Sequence, residues 1–494
     1  MAYNIKSILN TYGFKHKPND NSIYLDLFET LKMAILKGAL VENIKLPPTR
    51  ILAKDINISR STVLKAYDLL IIEKYLYSIQ GSGYYVSSVN HKKIQHIQYT
   101  KLKRGKYPKL SKRGQSFEKN SYIKDVWYTK GIAFRPGLPP LDIFPINLWN
   151  KLSTNYWKSV KSSELSYSNS LGLECLREQI SNYLKIYRNI DCSPSQIIVT
   201  TGSLHSLYLV SSALIDENDE VVVENPIYPL ANSLLKNLGA KMCYTNVNSE
   251  GISINDTICN QPKLVYITPS NQSPTGITMS LERRLDLLKW ASLKNTIIIE
   301  DDYDQEFSNW NKPISALYSM DNQDRVVYLG TFNKLLHPSI RLGYMVVPKY
   351  LMGSITSINK QSNRFVSPSL QKIMSSFIEK DYLNNHLRNV IEVTQERKQL
   401  FQSYFRERIK DRIILDTNNK GVNIIGNLTN GVNDVKLVNF LNQREIVPFP
   451  LSYYYHGGNK KNGLVMGFCS LRNDLIKKNI DNMAEAYTEF LKVN

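Results

Sequence analysis

The chain has 494 residues, too many for one ordinary hydrophobic core, so two or more domains are expected. Its composition, 42% hydrophobic and 21% charged without glycine or proline excess, is that of a globular protein. No apolar run approaches the roughly 18 residues of a membrane span, and the N-terminus lacks a signal-peptide layout, so a cytoplasmic protein with no membrane partner is expected. The formal net charge is +19. Residues 1–124 carry 22 Lys/Arg against 8 Asp/Glu, whereas the remaining 370 residues hold only +5. Lysine enrichment from AT-rich codon bias would be uniform along the chain; a basic N-terminal quarter instead suits a binder of the phosphate backbone. Five scattered cysteines without metal-ligand spacing suggest reduced thiols. The seven histidines form no metal-binding motif, so no metal is expected.

In chain order, Ile23, Leu27, Leu31, Ala34 and Ile35 recur at helical spacing, with Gly38 placed to stop the helix. A short helix is expected over Thr49–Asp55 after Pro47-Pro48. A second, capped by Ser59, runs from Arg60 to about Lys74, with Val63, Ala66, Tyr67 and Leu70 inward. Alternation on either side of Gln80-Gly-Ser-Gly83 predicts a two-stranded wing. A recognition helix presents its N-terminal end to the major groove, and Ser59, Arg60, Ser61 and Thr62 cluster there. Arg50 sits where phosphates would pass, and Gly83 allows a wing tip close approach to DNA. From Asn90 to Lys124, 11 Lys/Arg face one Glu without periodicity, which predicts a flexible basic tether.

From about Ile132 helical and strand patterns alternate, as in an α/β domain. Continuous β-branched runs at 196–200, 220–224, 264–268, 296–300 and 325–330 suit strands of a mainly parallel sheet buried on both faces. Ligands of such sheets bind beyond the carboxyl ends of the strands, and the candidate chemistry residues follow those ends. Together they match what pyridoxal 5'-phosphate requires. Lys334 is the candidate Schiff-base lysine. Asp301 is the candidate partner of the pyridine nitrogen, and Tyr303 and Asn271 lie near the ring hydroxyl. Gly202, Ser203 and Leu204 open a helix as a phosphate cradle, which Thr331 and Arg341 complete. Tyr228 is the ring-stacking candidate. A lone lysine after a strand is usually a solvated surface residue; five such elements in one order carry more weight.

The segment from Leu46-Pro-Pro-Thr-Arg50 through Ser59-Arg60-Ser-Thr-Val63 to Gln80-Gly-Ser-Gly-Tyr-Tyr-Val86 resembles the GntR-type winged helix, in which residues matching Arg50 and Arg60 contact operator DNA. Further along, Phe134-Arg-Pro-Gly137, Pro274-Thr-Gly276, Glu300-Asp-Asp-Tyr-Asp-Gln-Glu-Phe307 and Tyr328-Leu-Gly-Thr-Phe-Asn-Lys334 resemble fold type I aminotransferases. The whole resembles the MocR (GabR-like) regulators, which fuse the two. That resemblance implies a winged helix-turn-helix domain (α+β) over 1–88, a linker over 89–125 and an aminotransferase-like domain with large and small subdomains over 126–494. It also implies a head-to-tail homodimer in which Tyr167 reaches the partner's phosphate. Three departures stand out. Ser273 replaces the transaminase asparagine, Leu204-His205 replace two glutamines, and the strand Gly463–Phe468 lacks the carboxylate-binding arginine, for which Arg444 and Arg472 are candidate substitutes.

The function expected is a pyridoxal-phosphate-dependent regulator that binds double-stranded operator DNA and senses an amine, amino acid or B6 vitamer through Lys334. The alternative is an active aminotransferase with an accessory DNA-binding domain.

Overall fold

A computed structural model describes residues 4–14, 23–88, 108–120, 131–254, 259–307, 315–416, 421–429, 431–457 and 460–493, and the chain divides into two units, 1–109 and 110–494. In the first unit, α1 (Ile5–Thr11), α2 (Ile23–Leu36), α3 (Thr49–Asp55) and α4 (Arg60–Ile72) precede the antiparallel pair β1 (Leu76–Ile79) and β2 (Gly83–Val86). Their inward faces form a small core in which Leu27, Leu31, Val63, Ala66, Tyr67 and Leu70 are fully buried, as the helical spacing predicts. Tyr67 stacks edge-on against Tyr84 of the wing and donates its hydroxyl to Pro47 O at 3.1 Å. One aromatic ring thereby fixes the wing and the Pro47-Pro48 turn to α4.

The second unit begins with a departure from the expected tether. Lys112–Lys119 form a helix, α5, capped by Ser111, and Ser116 Oγ and Asn120 Nδ2 both donate to Asn237 Oδ1 at 2.8 Å. Charge density in this stretch is high, but one helix turn of polar side chains matched to a neighbouring helix end is enough to order it. Residues 89–107 and 121–130 of the same stretch lie outside the described residues.

There follow α6 (Ile146–Ser159), α7 (Glu174–Arg188), β3 (Ile197–Thr200), α8 (Ser203–Leu214), β4 (Glu220–Asn225), α9 (Pro229–Asn237), β5 (Lys241–Asn248), β6 (Gly251–Ile252) and β7 (Leu264–Ile267). Next come α10 (Leu281–Lys294), β8 (Ile297–Asp301), β9 (Val326–Thr331), β10 (Gly343–Val346), α11 (Met352–Ser362), α12 (Pro368–Glu379) and the long α13 (Tyr382–Ile409). The sheet order is β3-β10-β9-β8-β7-β4-β5-β6, with the β9-β8-β7-β4-β5 pairs parallel and β10 antiparallel to both its neighbours. The five strands legible as apolar runs are all present. Three were missed: β5, whose alternation is diluted by Lys241, Thr245 and Asn246, the two-residue β6, and β10, which follows the Arg341 turn without a break in pattern. A smaller antiparallel sheet, β11 (Ile413–Leu415), β12 (Asn423–Leu428), β13 (Phe449–Pro450) and β14 (Gly463–Gly467), packs with α14 (Asp434–Asn442) and α15 (Asn473–Val493) around its own core.

Alternate residues of each central strand feed opposite layers. Val221 and Val223 face the α8–α9–α11 layer, and Val222 faces α10. At the end of β8 the same alternation divides three carboxylates. Glu300 accepts from the amides of Leu317 and Tyr318 at 2.8 Å, with Arg284 Nη1 at 3.9 Å. Asp302 accepts from Arg188 Nη2 at 2.6 Å and from Tyr328 Oη at 2.7 Å, and Asp301 between them faces the other way, towards Tyr266. Cys243 of β5 and Cys259 are joined as a disulfide, which corrects the expectation of five free thiols. The two lie 16 residues apart, a spacing that carries no signal until β5 and the segment before β7 run side by side.

Because Arg188 and Asp302 are nearly inaccessible, Arg188→Ala should cost the second unit about 3–5 kcal/mol by stranding a buried carboxylate. The exposed Lys185–Asp191 pair in the same helix region should be worth at most about 1 kcal/mol. Urea unfolding of Arg188→Ala and Lys185→Ala tests the contrast, and equal losses would contradict it.

Candidate cofactor pocket and DNA-binding face

Five chain segments converge at the carboxyl end of the large sheet. Gly343 pairs with both Thr200 and Thr331, and its Cα would tolerate no side chain: a Cβ there would lie 2.8 Å from Gly202 Cα. The loop after β3, the loop after β9 and the turn before β10 are thus drawn together. Gly202 (φ +123°) caps α8, and the amides of His205 and Ser206 bond back to Gly202 O. The preceding amides, of Ser203 and Leu204, belong to the donor-rich start of a helix, where an anion is favoured. A Cβ on Gly202 would stand 3.4 Å from Asn333 Nδ2 and 3.8 Å from Arg341 Nη1, so backbone amides, an amide side chain and a guanidinium border one small space. Arg341 reaches it from a left-handed backbone (φ +50°), and Thr331 Oγ1 accepts from the amide of Asn333 at 3.2 Å.

Lys334 follows β9 and is half-buried. Its Nζ donates to Gly137 O at 2.6 Å and lies 6.0 Å from the centre of the Tyr303 ring. Burial pushes this ammonium below the ordinary lysine value, against the opposing pull of Asp304 and then Asp301. A less protonated amine is the nucleophilic form. Asp301 accepts from Tyr266 Oη at 2.7 Å through one oxygen, while its Oδ1 has no hydrogen-bond partner among the described residues. Burial raises its carboxyl to about 7. Burial, with Asp304 adding to it, raises the Tyr303 hydroxyl well above its ordinary value, and the neighbouring Ser273 side chain, which stands where transaminases have an asparagine, opposes the rise. Tyr228 caps α9 after β4, within the electrostatic reach of both Asp301 and Arg341. Asn271 turns its amide towards Asp304. His205, at one of the two expected glutamine positions, accepts the Thr201 amide on Nδ1 at 3.3 Å, and burial followed by Arg341 lowers its pKa.

The donors and acceptors match pyridoxal 5'-phosphate. The orphaned Asp301 Oδ1 suits the ring nitrogen, the Gly202 cradle with Asn333 and Arg341 suits a phosphate dianion, and Lys334 suits the aldehyde. Four residues of this arrangement were not anticipated: Tyr266, Asn333, Asp304 and Gly137. Asn333 adjoins Lys334 and Asp304 extends the acidic run, so both had a local signal; Tyr266 is hidden within an apolar strand. Tyr167 is not drawn into the pocket of its own chain. It is 78% exposed, with the Arg364 guanidinium 4.6 Å from its ring centre. Arg444 lies over Phe440 and is bound to Glu489, and Arg472 is exposed beside Asp474. These surface pairings take both away from the role of substitute carboxylate reader.

In the first unit Ser59 caps α4. Its Oγ accepts from Thr62 N at 3.1 Å and contacts the hydroxyls of Ser61 and Thr62 at 2.8 and 2.7 Å. Arg60 Nε donates to Thr49 Oγ1 at 3.4 Å, and Arg50 is exposed on α3. Gly83 (φ +131°) opens β2, where a Cβ would press on Lys45.

Residues 23–86 match the gntR family of bacterial regulatory proteins, and residues 149–430 match aminotransferase class I and II. The probable rhizopine catabolism regulatory protein MocR of Rhizobium meliloti is 31% identical over 468 residues, 95% of this chain and 94% of that protein. The chain belongs to the MocR-type transcriptional regulators. The HTH-type pyridoxine biosynthesis regulator PdxR of Corynebacterium glutamicum is 25% identical over 95% of this chain and 97% of its own length. Kynurenine aminotransferase of Pyrococcus horikoshii shares the fold, with a TM-score of 0.67 at 23% identity over 81% of this chain and 98% of its own. The regulator is thus a DNA-binding protein with a pyridoxal-phosphate-dependent, aminotransferase-like domain. Among the described residues no helix is long and apolar enough to cross a membrane.

Burial raises Asp301, Glu224 and Glu306 to about 7 and Asp304 to about 8. The unfolded chain releases these protons near pH 4, and the folded chain holds them until pH 7–8. The stabilisation they give is therefore complete below pH 4 and is lost as pH rises towards 8. Cofactor-free protein should lose on the order of 1 kcal/mol or more between pH 5.5 and 8. Urea midpoints across that range check this, and a midpoint that rises with pH would contradict it.

Proposed function

We propose that this regulator senses a small amine in the cytoplasm by exchanging it against Lys334, and that the exchange changes how the protein holds operator DNA. The observation that carries the reading is the buried Lys334 ammonium, held by Gly137 O at 2.6 Å and flanked by Asp301 and Asp304, on a chain that also carries a winged helix. Asp301 is assigned to the ring nitrogen, and Tyr303 and Asn271 to the ring-hydroxyl side. Gly202, Ser203, Leu204, Thr331 and Arg341 are assigned to the phosphate, and Tyr228 to the ring face. Bound pyridoxal phosphate supplies an aldehyde that condenses with an amine and a ring that draws electrons from it.

The chain's own residues give the exchange a mechanical consequence. Gly137 O accepts from Lys334 Nζ while Gly137 N donates to Asn423 Oδ1 of β12 at 2.7 Å. A loop bound on one side to Lys334 and on the other to the small sheet registers whether the lysine is in place. Carrying the cofactor takes Lys334 Nζ away from Gly137 O and exchange with an effector frees it to return, so an effector binds one arrangement better than the other, as any ligand-driven switch requires. Tyr167 with Arg364 is assigned to the partner's phosphate in a head-to-tail homodimer, which its exposure supports. On the DNA side Arg60, Ser59, Ser61 and Thr62 are assigned to the major groove, Arg50 to phosphates and Gly83 to the wing tip.

The second reading, an active aminotransferase, is favoured by Lys334 itself, which has the burial and lowered proton affinity of a general base. Sustained keto-acid formation would support it.

Added pyridoxal phosphate should give a visible absorption band that Lys334→Ala lacks. A band of equal strength in the variant would remove Lys334 from its role. In operator-binding measurements, Arg60→Ala should cost about 1–3 kcal/mol and relax sequence preference. Arg50→Ala should weaken binding to all sequences and lower the salt slope by about 1. Unchanged binding by Arg60→Ala would displace the proposed recognition helix.

A further inference from the structure

The side of the cleft beyond Lys334 is built from hydrogen-bond acceptors. Asp304 is 1% exposed, and both its carboxylate oxygens accept from Asn271 Nδ2, at 2.8 and 2.7 Å. Asn271 is 5% exposed, and with its amide nitrogen committed to Asp304 its Oδ1 has no partner among the described residues. Gly137 O and Asn423 Oδ1 add two more acceptors on the loop and on β12. Gly421 (φ +81°) backs onto the pair, where a Cβ would stand 2.5 Å from Asn271 Nδ2 and 2.6 Å from Asp304 Oδ2, so the small subdomain closes directly over this acid.

The guanidinium that an amino-acid reader needs is not supplied by the described residues of β14, nor by Arg444 or Arg472. Strand β14 presents Gly463-Leu-Val-Met-Gly467, buried and uncharged, and Arg444 and Arg472 lie at the surface with carboxylates of their own.

We infer that the effector is an amine without a carboxylate, whose far end carries a hydrogen-bond donor, an ammonium or a hydroxyl, received by Asp304 and Asn271. The inference rests on Lys334 being the residue that carries the cofactor and exchanges with the effector. Without cofactor the Lys334 ammonium favours the charged form of a buried acid whose side-chain hydrogen-bond partner among the described residues is the Asn271 amide. While Lys334 carries the cofactor its Nζ cannot serve Asp304, so an incoming effector meets a buried carboxyl beside an amide oxygen with no partner among the described residues, and after the exchange its far end competes with the released Lys334 for them. A ligand ammonium or hydroxyl satisfies both. A ligand carboxylate would place like charge beside Asp304 or force it to stay protonated. The elevation of Asp304 to about 8 by burial is the mark of an acid short of a full counter-charge. The competing reader is Arg135, half-buried on the same loop as Gly137, and it has to be tested alongside.

The experiment titrates full-length, cofactor-loaded protein with three probes of equal chain length: 1,4-diaminobutane, 4-amino-1-butanol and 4-aminobutanoate. The shift of the visible band reports binding. The diamine or the amino alcohol should bind at least roughly tenfold more tightly than 4-aminobutanoate, and which of the two leads tells ammonium from hydroxyl. Asp304→Asn should weaken the diamine by roughly tenfold or more at unchanged cofactor content. If that variant fails to load cofactor, the ranking on the wild type still decides. Equal binding of the three, or a preference for 4-aminobutanoate, overturns the inference, and loss of that preference in Arg135→Ala would show where the carboxylate sits. A wild type that gives no band on adding cofactor removes the Lys334 reading and this inference with it. A band with the wrong ranking removes this inference alone.

Discussion

Three consecutive carboxylates at the end of one buried strand set the terms for the large subdomain. Glu300, Asp301 and Asp302 share a backbone that the β pleat turns alternately to opposite faces. Burying three acids in a row is costly unless each is answered. Glu300 is answered by two amides and Arg284, and Asp302 by Arg188 and Tyr328. Those partners come from α7, α10, β9 and the segment after residue 314, so the strand end fastens four separate parts of the chain. With the outer two anchored, Asp301 cannot swing away from the pocket, and among the described residues Tyr266 is its hydrogen-bond partner, which leaves one oxygen unmet. The rigidity of the pocket floor thus follows from charges that never touch a ligand.

A similar economy governs the cradle. Gly343 sits between Thr200 and Thr331 with no room for a side chain, which brings Gly202, Asn333 and Arg341 to one point. An antiparallel strand inserted between two parallel ones returns the chain to the ligand edge. That return is why Arg341, ten residues after β9 ends at Thr331 and just before β10 begins, faces the same space as the helix that starts after β3.

How much of this was legible in the sequence depended on the range of the interaction. Apolar periodicity located the winged helix and five central strands because burial on both faces leaves an unbroken signal. Lys334 and Asp301 stood out because each closely follows such a strand, and Arg341 because it brackets Lys334 with Thr331. Residues whose importance comes from long-range pairing were silent. Tyr266 resembles any strand aromatic until Asp301 lies beside it. Arg188 resembles a helix-end cation until Asp302 reaches it. Cys243 and Cys259 resemble scattered thiols until two segments run together. The α5 helix was masked by charge, since eleven basic residues in the stretch around it suggest solvation while Ser111, Ser116 and Asn120 supply the caps and contacts that order it. The arginines proposed for a carboxylate failed for a related reason: sequence shows a guanidinium but not the carboxylates already beside it.

A cleft that has Lys334, Asp301 and Tyr303 but no arginine on β14 is well suited to capture an amine and poorly suited to orient an amino acid for turnover. Catalysis depends on holding the reacting bond against the ring, and in an amino acid the carboxylate is the handle for that alignment. Sensing makes a weaker demand. It needs only that the ligand-bound and ligand-free arrangements differ in free energy by more than thermal noise. Release of Lys334 Nζ from the cofactor back to Gly137 O would meet that demand, because the same glycine's amide is bonded to Asn423 on the small sheet. Two hydrogen bonds on one residue, Gly137, therefore join Lys334 to the small sheet.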